Sequence, residues 1–67
     1  MTIARTTEIT ATSTQGFDEA IRSGLTRATK TLDNVKAAWI KDQEVELDNG
    51  EVKDFKVTMK VTFVLNE

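Results

Sequence analysis

From Val52 to Leu65 the chain alternates almost without fault. Phe55, Val57, Met59, Val61, Phe63 and Leu65 fall on one side of an extended segment, and Lys56, Thr58, Lys60 and Thr62 on the other. A period of two with β-branched and aromatic residues on the apolar side specifies a strand with one buried face. The segment just before it contains Asp48-Asn49-Gly50-Glu51, and before that Val35 to Leu47 reads as another strand. Asn-Gly between two β-rich runs is the strongest short hairpin signal, because both central residues of a type I′ turn need positive φ.

The remaining half of the chain supplies a cover for that apolar face. Ile3 to Thr12 is rich in β-branched residues and lacks Gly and Pro, which reads as a first strand. Thr12-Ser13-Thr14 then offers side-chain oxygens where a new period begins, so Ser13 is the expected helix N-cap, with Asp18 and Glu19 suiting the positive end of the helix dipole. Phe17, Ile21, Leu25, Ala28 and Leu32 recur at helical spacing and form one face of a helix running to Thr31 or Leu32. Gly24, one turn from Ala20 and Ala28, suits a close backbone approach at a subunit contact.

A helix between the first two strands calls for a right-handed crossover, so those strands run parallel with the third between them, antiparallel to both. The expected class is α+β, a β-α-β-β chain whose three-stranded mixed sheet, in order 1-3-2, wraps on one helix. Residues 1–67 make one domain. A two-residue turn at Asn49-Gly50 sets Trp39 opposite Lys60, Ile40 opposite Met59 and Gln43 opposite Lys56. Ala37, Trp39, Lys41 and Gln43 then join Lys56, Thr58, Lys60 and Thr62 on the face the helix cannot cover. Asp42 and Glu44 would point toward Phe55 and Val57, a conflict that a bulge or an overhanging strand resolves.

At 67 residues, folding hides only about 60% of the surface that the unfolded chain exposes. Disulfides and a structural zinc are the usual remedies, and the chain has no cysteine and no histidine. Association with further copies is the remaining one. The net charge of −2, with both signs dispersed, argues against nucleic acid as a partner, since phosphate affinity needs clustered Lys and Arg. No apolar run approaches the roughly 18 residues that span a bilayer, and the N-terminus lacks a signal peptide's apolar core, so the expected setting is the cytoplasm, with no membrane partner.

Without His or Cys, acid-base work would fall to carboxylates and lysines, and nothing marks a nucleophile beside a base; no catalytic residue is assigned. Asp42, Glu44, Glu46 and Asp48 alternate along the second strand, a set that suits either Ca²⁺ or Mg²⁺ or, more simply, a solvated acidic strand paired with lysines. No metal ligand is assigned. For Trp39, the only tryptophan, three readings stand: an anchor against a neighbouring subunit, a platform on which a flat ligand stacks, or an exposed residue without a role.

Taken together, the β-α-β-β order, Ala11-Thr12-Ser13, Phe17, Thr31-Leu32-Asp33-Asn34-Val35, Asp42-Gln43 and the closing Val57-Thr58-Met59-Lys60-Val61-Thr62-Phe63 resemble the dodecin family over nearly the whole chain. The resemblance implies a hollow homododecamer with helices outside and sheets lining a cavity. It also implies a flavin, FMN or riboflavin, stacked between tryptophans of symmetry-related subunits and hydrogen-bonded by a glutamine, in a role of storage rather than catalysis. The family's tryptophan position falls on Ala37 and its glutamine on Lys56. Trp39 stands two residues on, about 7 Å along the same face. The candidate ligand contacts are therefore Trp39, Gln43 and Lys56, with Ala37 and Thr58 beside them. The alternative is a flavin-free dodecameric shell with a metal-binding, anion-binding or structural role.

Overall fold

The computed structural model describes residues 2–65. Strand β1 (Ala4–Ser13) leads into helix α1 (Phe17–Thr31), followed by β2 (Val35–Asp48) and β3 (Glu51–Val64). The sheet order is β1-β3-β2, with β3 antiparallel to both neighbours, the topology expected from the crossover argument. Asn49 and Gly50 make the hairpin turn with φ of 52° and 80°, both positive as a type I′ turn requires.

The helix begins later than the sequence implies. Ser13 is still in the β1 ladder opposite Phe55, and its Oγ accepts a hydrogen bond from the Gln15 backbone N–H at 3.0 Å, a local turn and not a helix cap. Gly16 is the N-cap, and its carbonyl accepts from Ala20 N at 3.1 Å. The expected cap at Ser13 is corrected on this ground: the strand claims the residue first. At the other end Leu32 N donates to Ala28 O at 2.9 Å, and Asn34, with φ of 59°, turns the chain into β2.

Alternation in β3 builds the core. Val57, Met59 and Val61 are fully buried, and Ala20 and Ala28 close over them from the helix. Ile9, Ala11, Phe17, Ile21, Leu25, Ala38 and Ile40 pack around this centre. Small residues four apart, Ala20, Gly24 and Ala28, form the line of closest approach, with the larger apolar residues flanking it. A Cβ at Gly24 would lie 2.8 Å from Met59 Cε and 3.0 Å from Ala11 Cβ. A close approach anticipated at Gly24 is present in the helix-on-sheet packing inside the subunit.

Three irregularities set the β2–β3 register, and each leaves a lysine as the extra residue: Lys36 and Lys41 on β2, and Lys53 on β3. The Lys53 and Lys41 bulges lie on opposite strands and cancel, so Trp39 pairs with Lys60 and Ile40 with Met59 as the turn alone dictates. Between the two bulges the pairing is shifted by one. Gln43 faces Val57, not Lys56, and Glu44 faces Lys56. Asp42 and Glu44 are thereby carried to the open face, so no carboxylate is pressed toward Phe55 and Val57, which is the conflict that the uninterrupted register creates.

The β2–β3 hairpin runs on past the end of β1, whose last pair is Ser13 with Phe55, and gives the molecule extents of 51 × 19 × 13 Å.

Candidate functional site

Cross-strand partners share a face, so the two ladders read together give the open side of the sheet as rows of three. Thr6, Thr62 and Ala37 make one row; Glu8, Lys60 and Trp39 the next; then Thr10, Thr58 and Asp42; then Thr12, Lys56 and Glu44. Strand alternation puts each of these residues opposite the side that α1 covers.

Trp39 dominates this surface. It is 62% exposed, and Lys60 Nζ lies 5.5 Å from the centroid of its ring. A cation at that distance over an indole is attracted by the negative face of the ring, worth about 0.5–1 kcal/mol at an exposed site. Lys41 reaches across β3 to Glu8, with Nζ to Oε1 at 3.2 Å, so the bulge residue lies on the open face too. Lys56 Nζ stands 4.0 Å from Glu44 Oε1, and Thr58 Oγ1 is 3.5 Å from Thr10 Oγ1. The result is one aromatic plane among ammonium groups, hydroxyls and the carboxylates of Glu8, Asp42 and Glu44, on a three-stranded floor.

Of the residues singled out from the sequence, Trp39, Ala37, Thr58 and Lys56 share this face. Gln43 does not: its pairing with Val57 puts it on the helix side, and the Lys41 bulge is the reason. Glu44 takes its place beside Lys56. Glu8 is the residue that sequence reasoning missed; its alternation with Thr6, Thr10 and Thr12 in a strand paired to β3 was the available signal. Among the described residues no group of three or more acidic side chains is gathered closely enough to hold a metal ion. Among them, too, no helix is long and apolar enough to cross a membrane.

A flat ligand with a π-face and an anionic or carbonyl edge suits this chemistry. Trp39 offers the plane, while Lys60, Lys56 and Thr58 offer donors around it. A family model described as Dodecin matches residues 3–66. The chain belongs to the dodecin family. A dodecin of Thermus thermophilus is 37% identical over 62 residues, covering 90% of this chain and 87% of its own. Solved structures agree. Dodecin from Streptomyces davaonensis superposes with a TM-score of 0.92 at 39% identity, covering 98% of this chain and 97% of that one. The dodecin of Streptomyces coelicolor gives 0.92 at 32%, covering 98% and 94%.

Dodecin membership bears out the family resemblance and the β-α-β-β fold read from the residues. It supports a small flavin-binding protein of dodecameric type, and binding or storage in place of catalysis. Self-association, which the small core called for, is consistent with the dodecin family.

Proposed function

We propose that the chain is one subunit of a hollow cytoplasmic homododecamer that binds and stores a flavin, FMN or riboflavin, on the open sheet face at Trp39. The observation that carries the proposal is the exposed indole of Trp39 in a row with Lys60, on the face that the subunit's own helix leaves uncovered. The tryptophan position of the family is Ala37, one step along the same face, and its methyl leaves the space over which a ring lying on Trp39 extends. Lys56, at the family's glutamine position, donates but cannot accept, and with Lys60 it favours a phosphate or a reduced, anionic ring over a neutral one. Lys60 must slide off the indole for a ring to stack there, and an anionic ligand keeps it close by. Thr58 lies between the two lysines and adds a hydroxyl. Nothing in this scheme calls for a catalytic group.

The test is titration of FMN and riboflavin with the purified assembly while following both flavin and Trp39 emission. Quenching of both, lost in Trp39→Ala at unchanged oligomer mass, supports the proposal. Unaltered flavin fluorescence at high micromolar protein overturns it in favour of a flavin-free shell, a reading supported by Ala37 and Lys56 standing where the family resemblance expects tryptophan and glutamine.

A further inference from the structure

Two ammonium groups compete for one carboxylate on the open face. Glu8, Lys60 and Trp39 are Cα partners in one row across β1, β3 and β2, so Lys60 stands one strand spacing, about 4.8 Å, from each of the other two. Yet Glu8 is not paired with Lys60. Its Oε1 lies 3.2 Å from Nζ of Lys41, which reaches over β3 from β2, two strand spacings away. Lys60 turns the other way and sets its Nζ 5.5 Å from the centroid of the Trp39 ring. The farther lysine holds the carboxylate, and the nearer one lies on the indole.

Neither contact is locked. Lys41 and Glu8 are each close to half exposed, where ion pairs are weak, and a cation over an exposed indole is of comparable strength. Lys60 therefore has two resting places of similar energy, Trp39 on one side and Glu8 on the other. Occupancy of Glu8 by Lys41 tips the choice toward the indole. Asp42 is no substitute for Glu8: it sits in the next row on Trp39's own strand, so a lysine leaning toward it stays on the indole's side. Glu8 is the only carboxylate in β1, the strand on the far side, and so the group that draws Lys60 off the ring.

We infer that Lys41, Glu8 and Lys60 form a switch that covers and uncovers Trp39, with Lys41 and Glu8 as positioning residues. In the closed arrangement, the one in the structure, Lys41 occupies Glu8 and Lys60 covers the indole. In the open one Lys60 swings to Glu8, Lys41 turns out to solvent, and the ring face is free for a flat ligand. The switch deepens the flavin reading and rests on it, because it names the group that clears the site and the selectivity this confers. A ligand with an anionic edge keeps Lys60 as a partner, whereas a neutral ring stacks only after Lys60 has gone to Glu8. Glu8 thus sets how well riboflavin competes with FMN.

Trp39 is the only tryptophan and the chain has no tyrosine, so its emission reports the switch without any ligand. The measurement is collisional quenching by acrylamide, an uncharged probe, on protein of unchanged mass by light scattering. Lys41→Met frees Glu8 to take Lys60, and the quenching constant rises about twofold, in proportion to the uncovered fraction. Adding Glu8→Gln returns it to the parent value, and Lys41→Arg, which keeps the ion pair, leaves it there. A Lys41→Met protein quenched like the parent overturns the inference. So does a rise that Glu8→Gln fails to reverse, since Lys41 would then shield the ring by itself. Titrations with riboflavin and FMN read the selectivity: Glu8→Gln raises the riboflavin dissociation constant about two- to threefold relative to that of FMN. An unchanged ratio overturns the role of Glu8 in selectivity. If neither flavin binds any variant while the acrylamide pattern holds, the flavin reading fails and the switch stands.

Discussion

Gly24→Ala brings two opposed effects into one residue, and the packing decides between them. Alanine in a helix interior is favoured over glycine by about 1 kcal/mol. Against this, the added methyl would stand 2.8 Å from Met59 Cε and 3.0 Å from Ala11 Cβ, where ordinary carbon contacts are about 3.5–4.0 Å. Met59 is a flexible side chain, but it is fully buried and has no free volume toward solvent; Ala11 Cβ is fixed to β1. Overpacking of this kind costs about 1–3 kcal/mol. The expected net effect is a loss of about 1 kcal/mol per subunit. Guanidinium unfolding at one fixed protomer concentration measures it, since assembly contributes to apparent stability by mass action. Replacing Met59 by Leu removes the closest atom, so Gly24→Ala with Met59→Leu recovers part of the loss, with a coupling of at least about 0.5 kcal/mol. A Gly24→Ala protein as stable as the parent, with no coupling to Met59, refutes the close helix-to-sheet approach.

Three further outcomes follow from named contacts. Gly50→Ala lowers stability by about 1–2 kcal/mol in the same assay, through backbone strain alone, because its φ is +80° and no atom lies within 4 Å of the new methyl; an unchanged midpoint contradicts the type I′ turn. Lys41→Met alters stability by less than about 0.5 kcal/mol, since its pair with Glu8 is roughly half exposed, and the small difference disappears in 1 M salt; an effect that survives high salt shows that Lys41 acts by packing. Phe17→Leu loses the edge-to-face contact with Phe55 and with it about 0.5–1.5 kcal/mol beyond the area lost, read as a lower unfolding midpoint; equal midpoints refute a contribution from the ring pair.

Much of the molecule is legible in one dimension because its determinants are local. The period of β3, the Asn49-Gly50 turn and the helical spacing of Phe17, Ile21, Leu25 and Ala28 each depend on neighbours within a few residues, and chain chirality then fixes the order β1-β3-β2. Trp39 beside Lys60 on the open face is legible for the same reason, since the turn sets that pairing and two bulges cancel before reaching it. The family resemblance rests on the same local segments.

What the sequence left undetermined depends on pairs of segments. A bulge is a property of two strands at once: whether Lys53 or Lys41 drops out of the ladder depends on what faces it across the sheet. Here the alternative is Asp42 and Glu44 turned toward Phe55 and Val57, and that comparison exists only after both strands and the helix are in place. It moved Gln43 off the candidate site and put Glu44 beside Lys56. Ser13 is lost as a cap because β3 offers it a partner, Phe55. Gly24 is explained by Met59 and Ala11, 35 and 13 residues distant in sequence, which meet it only when the helix settles on the sheet. Local periodicity thus determined which elements form and which faces are apolar, while the tertiary structure decided the register, because register is chosen by the energy of burying the side chains that meet across strands.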